Sequence, residues 1–318
     1  MAEGITLVTG ATGFVGRAVV DHLHRHGRVR AAVRQPCAQL LAQGVDCTEV
    51  GNLGVDTDWA PALTDVTSVV HTAARVHVMN EQAIDPLAAF RQVNVEGTLA
   101  LARQCAALGV KRFVFISSVK VNGETTDGRA PFVPHEVPCP VDAYGISKWE
   151  AEEGLRDIER QTGMAVVVIR PPLIYGPGVK ANFRRLIQAV ARGWPLPLGG
   201  ARNLRSLVAL ENLVSLIDCV LKHPAAAGEV FFASDGNDVS TFTLVRSLGT
   251  ALGRHAWLLP IPGRWLMALA QVAGKGAVAS RLLGSLQVDI SSNKALLGWV
   301  PPVSMELALV RTVAGFKK

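Results

Sequence analysis

Near the start of the chain a short apolar run, Ile5, Leu7 and Val8, leads into Gly10-Ala11-Thr12-Gly13-Phe14-Val15-Gly16, and an amphipathic helical pattern follows at once over residues 14–26. Few features constrain a fold more. Glycines permit a tight strand-to-helix turn and let a second backbone or a ligand come close, and the helix N-terminus offers free N–H groups to an anion. The spacing is GxxGxxG, not GxGxxG. An isolated glycine turn is only a tight loop. At a strand-to-helix junction opening a run of alternating elements, it predicts dinucleotide binding through Gly10, Thr12, Gly13, Phe14 and Val15.

The alternation continues. Short β-branched or apolar runs at residues 29–33, Val69-Val70-His71 and 113–117 are separated by helical stretches. Val166-Val167-Val168-Ile169 is apolar throughout, as a strand covered on both faces must be. The pattern predicts an α/β fold with a doubly wound parallel sheet of the Rossmann type. After Arg170 the rhythm breaks at Pro171, Pro172, Pro177, Pro195 and Pro197, which predicts a smaller, mainly helical substrate lobe. Leu207-Val208-Ala209 and residues 229–233 flank a helical pattern over 211–222, so residues 205–234 are expected to return to the large domain. The predicted division is residues 1–170 with 205–234 for the nucleotide domain, and 171–204 with 235–318 for the lobe.

Composition narrows the class of protein. A chain of 318 residues with 49% hydrophobic and 18% charged residues supports a large core and excludes disorder. Its net charge is +6, yet no basic run exceeds Lys317-Lys318, which favours small anionic ligands over nucleic acid. Cys37, Cys47, Cys105, Cys139 and Cys219 form no CxxC pair and have no His at metal-ligand spacing, so a reducing cytoplasm and no metal are expected. The first residues lack the charged and apolar regions of a secretory signal, and none is expected. The apolar stretch 258–283 is broken by Pro260, Pro262, Gly263, Arg264, Gly274, Lys275 and Gly276, short of the roughly 20 clean residues a membrane span needs. It reads as core or cleft-covering helices, with a membrane-surface helix as the lesser alternative.

Chemistry-bearing residues cluster at strand ends. The second strand closes on Val33-Arg34, without the carboxylate that usually receives the ribose of NAD. Arg34 can pair with a 2′-phosphate, which puts NADP(H) ahead of NAD(H); stacking on adenine and facing solvent are the other readings. Asn52 and Leu53, after the third strand, are placed against the adenine. Tyr144 and Lys148 share one face of a helix over 143–161, patterned by Trp149, Ala151, Leu155 and Ile158. A phenol titrates near 10, and a neighbouring ammonium favours its phenolate, so the pair is expected to donate and accept protons. Ser117-Ser118 ends the fifth strand, where a hydroxyl can hold the same substrate oxygen.

With Gly10, Gly13, Gly16, Ser118, Tyr144 and Lys148 in this order, the chain resembles, end to end, the extended short-chain dehydrogenase/reductase family of NAD-dependent epimerases and dehydratases. Supporting motifs are His71-Thr72-Ala73-Ala74, Asn94-Val95-Glu96-Gly97-Thr98 and Leu296-Leu297-Gly298-Trp299. The resemblance implies that Ser118, placed relative to Gly123, is the catalytic serine, and that Lys148 also grips the nicotinamide ribose. Ala73, Ala74 and Asn94 are implied on the cofactor side. Toward a UDP-sugar it implies Asn182 and Phe183 near the uridine, Arg205 at the diphosphate, and Arg281 and Asp289 beyond. Two positions depart from the family's 4-epimerases: Arg34, and Leu173 where many carry an Asn touching the sugar nucleotide. Residues 74–79, 177–183 and 205–210 look most like bacterial reductases of UDP-4-keto-6-deoxy-N-acetylhexosamines used in O-antigen synthesis. The expectation is therefore reduction at C4 in the cytoplasm. The alternatives are a UDP-glucose or UDP-GlcNAc 4-epimerase with tightly bound NAD and an NADPH-dependent reductase of a non-nucleotide ketone. A non-catalytic NADP sensor is disfavoured by the intact Ser118, Tyr144 and Lys148. A homodimer through the helices before Leu108 and after Ala143 is what the family implies.

Overall fold

Seven parallel strands lie in the order β3-β2-β1-β4-β5-β6-β9: β1 (Ile5–Thr9), β2 (Val29–Val33), β3 (Asp46–Glu49), β4 (Val66–His71), β5 (Arg112–Ile116), β6 (Ala165–Arg170) and β9 (Val230–Phe232). The computed structural model describes residues 4–76, 85–272, 274 and 276–316, without the side chains of Arg264, Leu269, Ala277, Val278 and Arg281. The motif residues His77, Val78 and Met79 thus lie outside the described residues. Because the order reverses between β1 and β4, the carboxyl ends of these two strands flank a crevice, the usual ligand position in such sheets.

Each face of the sheet has its own core. Val114, Ile116, Val167 and Ile169 point to one side, with α1 (Phe14–Leu23) and residues of a later helix, Leu213, Ile217 and Val220. Phe113, Phe115, Val166 and Val168 point to the other, where Leu101 and Cys105 of α5 (Thr98–Ala107) and Leu155 and Ile158 of α6 (Ala143–Thr162) cover them. This double coverage is why these strands carry no polar alternation. The intervening helices are α2 (Ala38–Ala42), α3 (Ala60–Leu63), α4 (Pro86–Arg91), α5 (Thr98–Ala107) and α6 (Ala143–Thr162), and a π-helical turn spans Gln92–Gly97. The helix expected over 14–26 ends earlier, at Leu23, and the one expected over 143–161 is α6 almost to the residue.

After β6 the chain enters the lobe through β7 (Leu173–Tyr175), α7 (Ala181–Ala191) and β8 (Leu207–Ala209), which runs into α8 (Leu210–Lys222). β8 itself pairs in parallel with β7 in a separate two-stranded sheet, while α8 packs against the main sheet. Val208 packs with the core around α8, whereas Leu207 and Ala209 pack into the lobe. The return to the main sheet comes only at β9, beside β6. The remaining helices are α9 (Thr241–Leu252), α10 (Gly263–Val272), α11 (Gly276–Leu283), α12 (Ser291–Leu297) and α13 (Met305–Phe316). Within 258–283 no described side chain of α10 is buried, whereas Ala279 of α11 is buried and Leu258 and Leu283 pack against the lobe core. Among the described residues no helix is long and apolar enough to cross a membrane.

Candidate active site

The glycine turn is shaped by a close approach. Gly10 sits at φ +66, and a Cβ there would lie 2.7 Å from the backbone nitrogen of Ala73. A Cβ on Gly16 would stand 2.2 Å from the Gly10 carbonyl oxygen. The ends of β1 and β4 are tied further by the Thr72 hydroxyl, which donates to the Thr9 carbonyl at 2.6 Å. Helix α1 then starts at Gly13 without a side-chain cap, leaving its first-turn N–H groups directed at whatever anion lies beyond. Thr12 and Gly13 are exposed, while Phe14 and Val15 are half-buried against the core. A glycine-walled cradle over an uncapped helix start fits the pyrophosphate of a dinucleotide.

The other residues expected on the cofactor side follow the same sheet edge. Ala73 and Ala74 are half-buried after β4, Arg34 is exposed after β2, and Asn52 is exposed after β3. Leu53 packs where Gly97 has no side chain, since a Cβ there would come 2.9 Å from the Leu53 Cγ. Asn94 occupies a different setting, buried as a clip. Its Oδ1 accepts from the Arg75 amide at 2.8 Å, and its Nδ2 donates to the Arg75 carbonyl and to Ser147 Oγ, both at 3.0 Å. It fastens the loop after β4 to helix α6.

At the end of β5, Ser118 starts a 3₁₀ turn (Val119–Val121), and its hydroxyl accepts from the Lys120 amide at 3.2 Å. The same hydroxyl faces the Tyr144 phenol and acts to lower its pKa. Tyr144 stands in the first turn of α6, whose N-cap, Asp142, accepts from the Gly145 amide at 2.7 Å. The Phe90 ring lies edge-on to Tyr144, centroids 5.9 Å apart. One turn on, Lys148 is 2% exposed; its ammonium donates to the Ile116 carbonyl at 2.8 Å and lies 4.4 Å from the centroid of the Phe115 ring. The hydroxyl, the phenol and the amine therefore converge at one strand end.

Their electrostatics differ from the expected pattern. Burial, with Asp142 adding to it, pushes the Tyr144 phenol up to about 12 despite the opposing Ser118 hydrogen bond. Burial brings Lys148 down to about 7, with Glu152 opposing. Lys148 is not among the groups that shift Tyr144, and burial leaves the phenol a proton donor at neutral pH. Beneath the site His71 is fully buried between Thr9 Oγ1 (2.7 Å) and Thr98 Oγ1 (3.0 Å), stacked on Phe115. Burial, then the Lys148 charge, takes it down to about 3, so it stays neutral.

Sequence reasoning did not single out the layer below. Glu152, four residues after Lys148 on the same helix face, accepts from Ser117 Oγ at 2.5 Å and pairs with Arg170 at 2.5 and 3.0 Å, both residues essentially without exposure. Arg170 also donates to Asn122 Oδ1 at 3.0 Å and to the Pro134 carbonyl at 3.2 Å. Helical spacing from Lys148 would have pointed to Glu152, and an Asp just before a helical pattern would have pointed to Asp142.

The residues expected toward the substrate are scattered. Phe183 is 3% exposed and its ring stacks on Tyr175, centroids 5.5 Å apart, in the lobe core. Asn182 is exposed, next to Ala181 at φ +52, a left-handed conformation strained for alanine. Arg205 is half-buried, donating to the Gly284 carbonyl at 2.9 Å; burial lowers its pKa against the charge of Asp127. Asp289 accepts from the Ser291 amide at 2.7 Å at the entry to α12. Leu173 is 45% exposed in β7, and the side chain of Arg281 lies outside the described residues.

These features define a protein of the Rossmann class with a Ser, Tyr and Lys cluster at the carboxyl edge of its sheet. The chain belongs to the NAD dependent epimerase/dehydratase family, whose model matches residues 6–233. It is 45% identical over 313 residues to a UDP-glucose 4-epimerase of Vibrio cholerae, covering 98% of this chain and 94% of that one. It is 28% identical over 321 residues to the N-acetyl-alpha-D-glucosaminyl-diphospho-ditrans,octacis-undecaprenol 4-epimerase of Escherichia coli O157:H7, covering 96% and 93%. In fold it is similar to the UDP-glucuronic acid 4-epimerase of Bacillus cereus, solved with NAD, at a TM-score of 0.79 and 20% identity over 98% of both chains.

Proposed function

We propose that the chain interconverts UDP-hexoses, or their N-acetylated forms, that differ in configuration at C4, with NAD bound along the β1 and β4 edge. The observation that carries this reading is the full-length, 45% identity to a UDP-glucose 4-epimerase, joined to a hydroxyl and phenol pair suited to one carbinol oxygen. It replaces reduction at C4 as the leading reading. Bound NAD supplies a hydride acceptor that can return the hydride. The protein's own part begins with Ser118, whose hydroxyl fixes the C4 oxygen by a hydrogen bond. Tyr144 exchanges the proton with that same oxygen. Lys148, whose ammonium is buried at the same strand end, is proposed to grip the nicotinamide ribose. Glu152 and Arg170 hold Ser117 and the segment around Asn122, and so the backbone that carries Ser118. Arg205 and Asn182 are proposed contacts to the diphosphate and uridine.

A second reading, a 4-keto sugar reductase, is favoured by two observations. Tyr144 rests as the protonated phenol, pushed up to about 12, which is the form that donates to a reduced carbonyl. Arg34 stands exposed after β2, where it suits the 2′-phosphate of NADP(H). The test is to denature purified protein, identify the dinucleotide released, and assay without added reductant. Released NAD with interconversion of UDP-GlcNAc and UDP-GalNAc, or of UDP-glucose and UDP-galactose, supports the epimerase. Consumption of NADPH or NADH by a UDP-4-keto-6-deoxy-N-acetylhexosamine, with no interconversion, supports the reductase.

A further inference from the structure

The charges of this chain are segregated along its sequence. It has 32 Lys and Arg and 26 Asp and Glu; residues 176–210 and 239–288 contain eleven of the former and none of the latter, so the remainder is net acidic with 21 against 26. The two acid-free stretches are neighbours in space. The Leu196 amide donates to the Trp257 carbonyl at 2.8 Å, the Leu259 amide donates to the Leu196 carbonyl at 2.8 Å, and Gly200 bridges to Pro262. Arg254 donates to the Ala191 carbonyl at 2.9 Å, tying the segment after α9 to the end of α7.

Along this seam lie three exposed tryptophans, Trp194 at 54%, Trp257 at 63% and Trp265 at 60% exposure, half of the chain's six. Arg192 rests over the Trp194 ring at 5.3 Å, and Arg254 is exposed three residues before Trp257. Helix α10 continues the surface, with Val272 91% exposed at its end and no described side chain buried. Scattered exposed apolar residues are ordinary on a protein surface. Three tryptophans on one seam, beside Arg192 and Arg254 and between two stretches that carry no carboxylate of their own, are not. An amphipathic indole beside a cation suits the boundary between lipid headgroups and acyl chains, and the missing carboxylates remove repulsion from an anionic leaflet.

We propose that this face of the substrate lobe docks the protein on the surface of an anionic phospholipid bilayer. The occupant is set by charge and by indole chemistry together: an acidic protein partner needs the cations but not three half-exposed indoles. Docking is peripheral, since α10 and α11 are too short to span, and it does not depend on which sugar the site turns over.

The test uses the full-length protein with vesicles of phosphatidylglycerol in phosphatidylcholine, and with phosphatidylcholine alone. The protein is expected to sediment with the anionic vesicles, to shift its tryptophan emission to the blue, and to release as salt is raised. Combined Trp194→Ser, Trp257→Ser and Trp265→Ser substitution is expected to lower partitioning about tenfold or more while leaving turnover in solution unchanged. Should that variant fail to fold, Arg192→Glu with Arg254→Glu keeps the indoles and is expected to abolish binding to the anionic vesicles. Equal binding to both vesicle types, or unaltered binding in folded variants, overturns the proposal. So does light scattering that reveals a stable dimer whose tryptophans are shielded from iodide without lipid, for then a second copy covers this face.

Discussion

The phenol of Tyr144 and the hydroxyl of Ser118 face one another at the end of β5, so removing the phenol oxygen takes away the group that handles the proton and little else. Tyr144→Phe is expected to keep fold and NAD binding while turnover falls about 100- to 10,000-fold; near-normal turnover would take Tyr144 out of the chemistry. His71 carries a pH effect. Its pKa is about 3 in the fold against 6.5 in the unfolded chain. Above pH 6.5 both states are neutral; as pH falls toward 3 the unfolded chain takes the proton first, so stability is lost across that window. Urea midpoints at pH 7 and pH 5 are expected to differ less in His71→Gln than in the parent. At this scale the Ser, Tyr and Lys positions are legible because spacing alone puts Tyr144 and Lys148 on one helix face. Their proton affinities are not, since burial sets them and burial is a property of the packed chain. Phe183 illustrates the same limit: the resemblance sets it near the uridine, but its burial against Tyr175, from a separate strand, shows only in the packed chain.

Among elements, the β1-to-α1 turn and the α6-to-β6 contact do most to position the site. In Gly16→Ala the new methyl meets the Gly10 carbonyl at 2.2 Å, backbone that cannot move without opening the cradle. Calorimetric titration is expected to show NAD affinity down by more than about tenfold, since the pyrophosphate turn is displaced. Gly44→Ala is the contrast. Gly44 has φ +75 but nothing within 4 Å, so a stability cost of about 1–2 kcal/mol is expected, with cofactor binding intact. Glu152→Gln leaves Arg170 charged and buried, with an expected cost of about 3–5 kcal/mol in urea unfolding. Asp46→Asn removes a pair to Arg30 that is half in solvent and is expected to cost under about 1 kcal/mol. A result with Glu152→Gln no larger than with Asp46→Asn would contradict the role given to the buried pair. The strands β2, β5 and β6 were legible because both faces are apolar. The pairing of β8 with β7 was not, because a three-residue apolar run names no partner.

At the scale of the whole molecule, the reversal of strand order between β1 and β4 brings the glycine turn, Ala73 and the Ser118 strand end to one edge, while the lobe attaches at the same end through β6 and β7. The double-wound plan follows from alternation alone. The segregation of charge onto the lobe's acid-free stretches lies in the sequence as well, but the tertiary seam between residues 196 and 258 is what turns two stretches into one face. The central claim is that this edge moves a hydride off C4 of a UDP-sugar and back again. The most direct measurement is to incubate the purified protein, without reductant, with UDP-glucose or UDP-GlcNAc deuterated at C4 and to follow the label by NMR. The expected result is the C4 epimer with deuterium retained at C4; no conversion until NAD(P)H and a 4-keto sugar are supplied, or loss of the label to water, would contradict it.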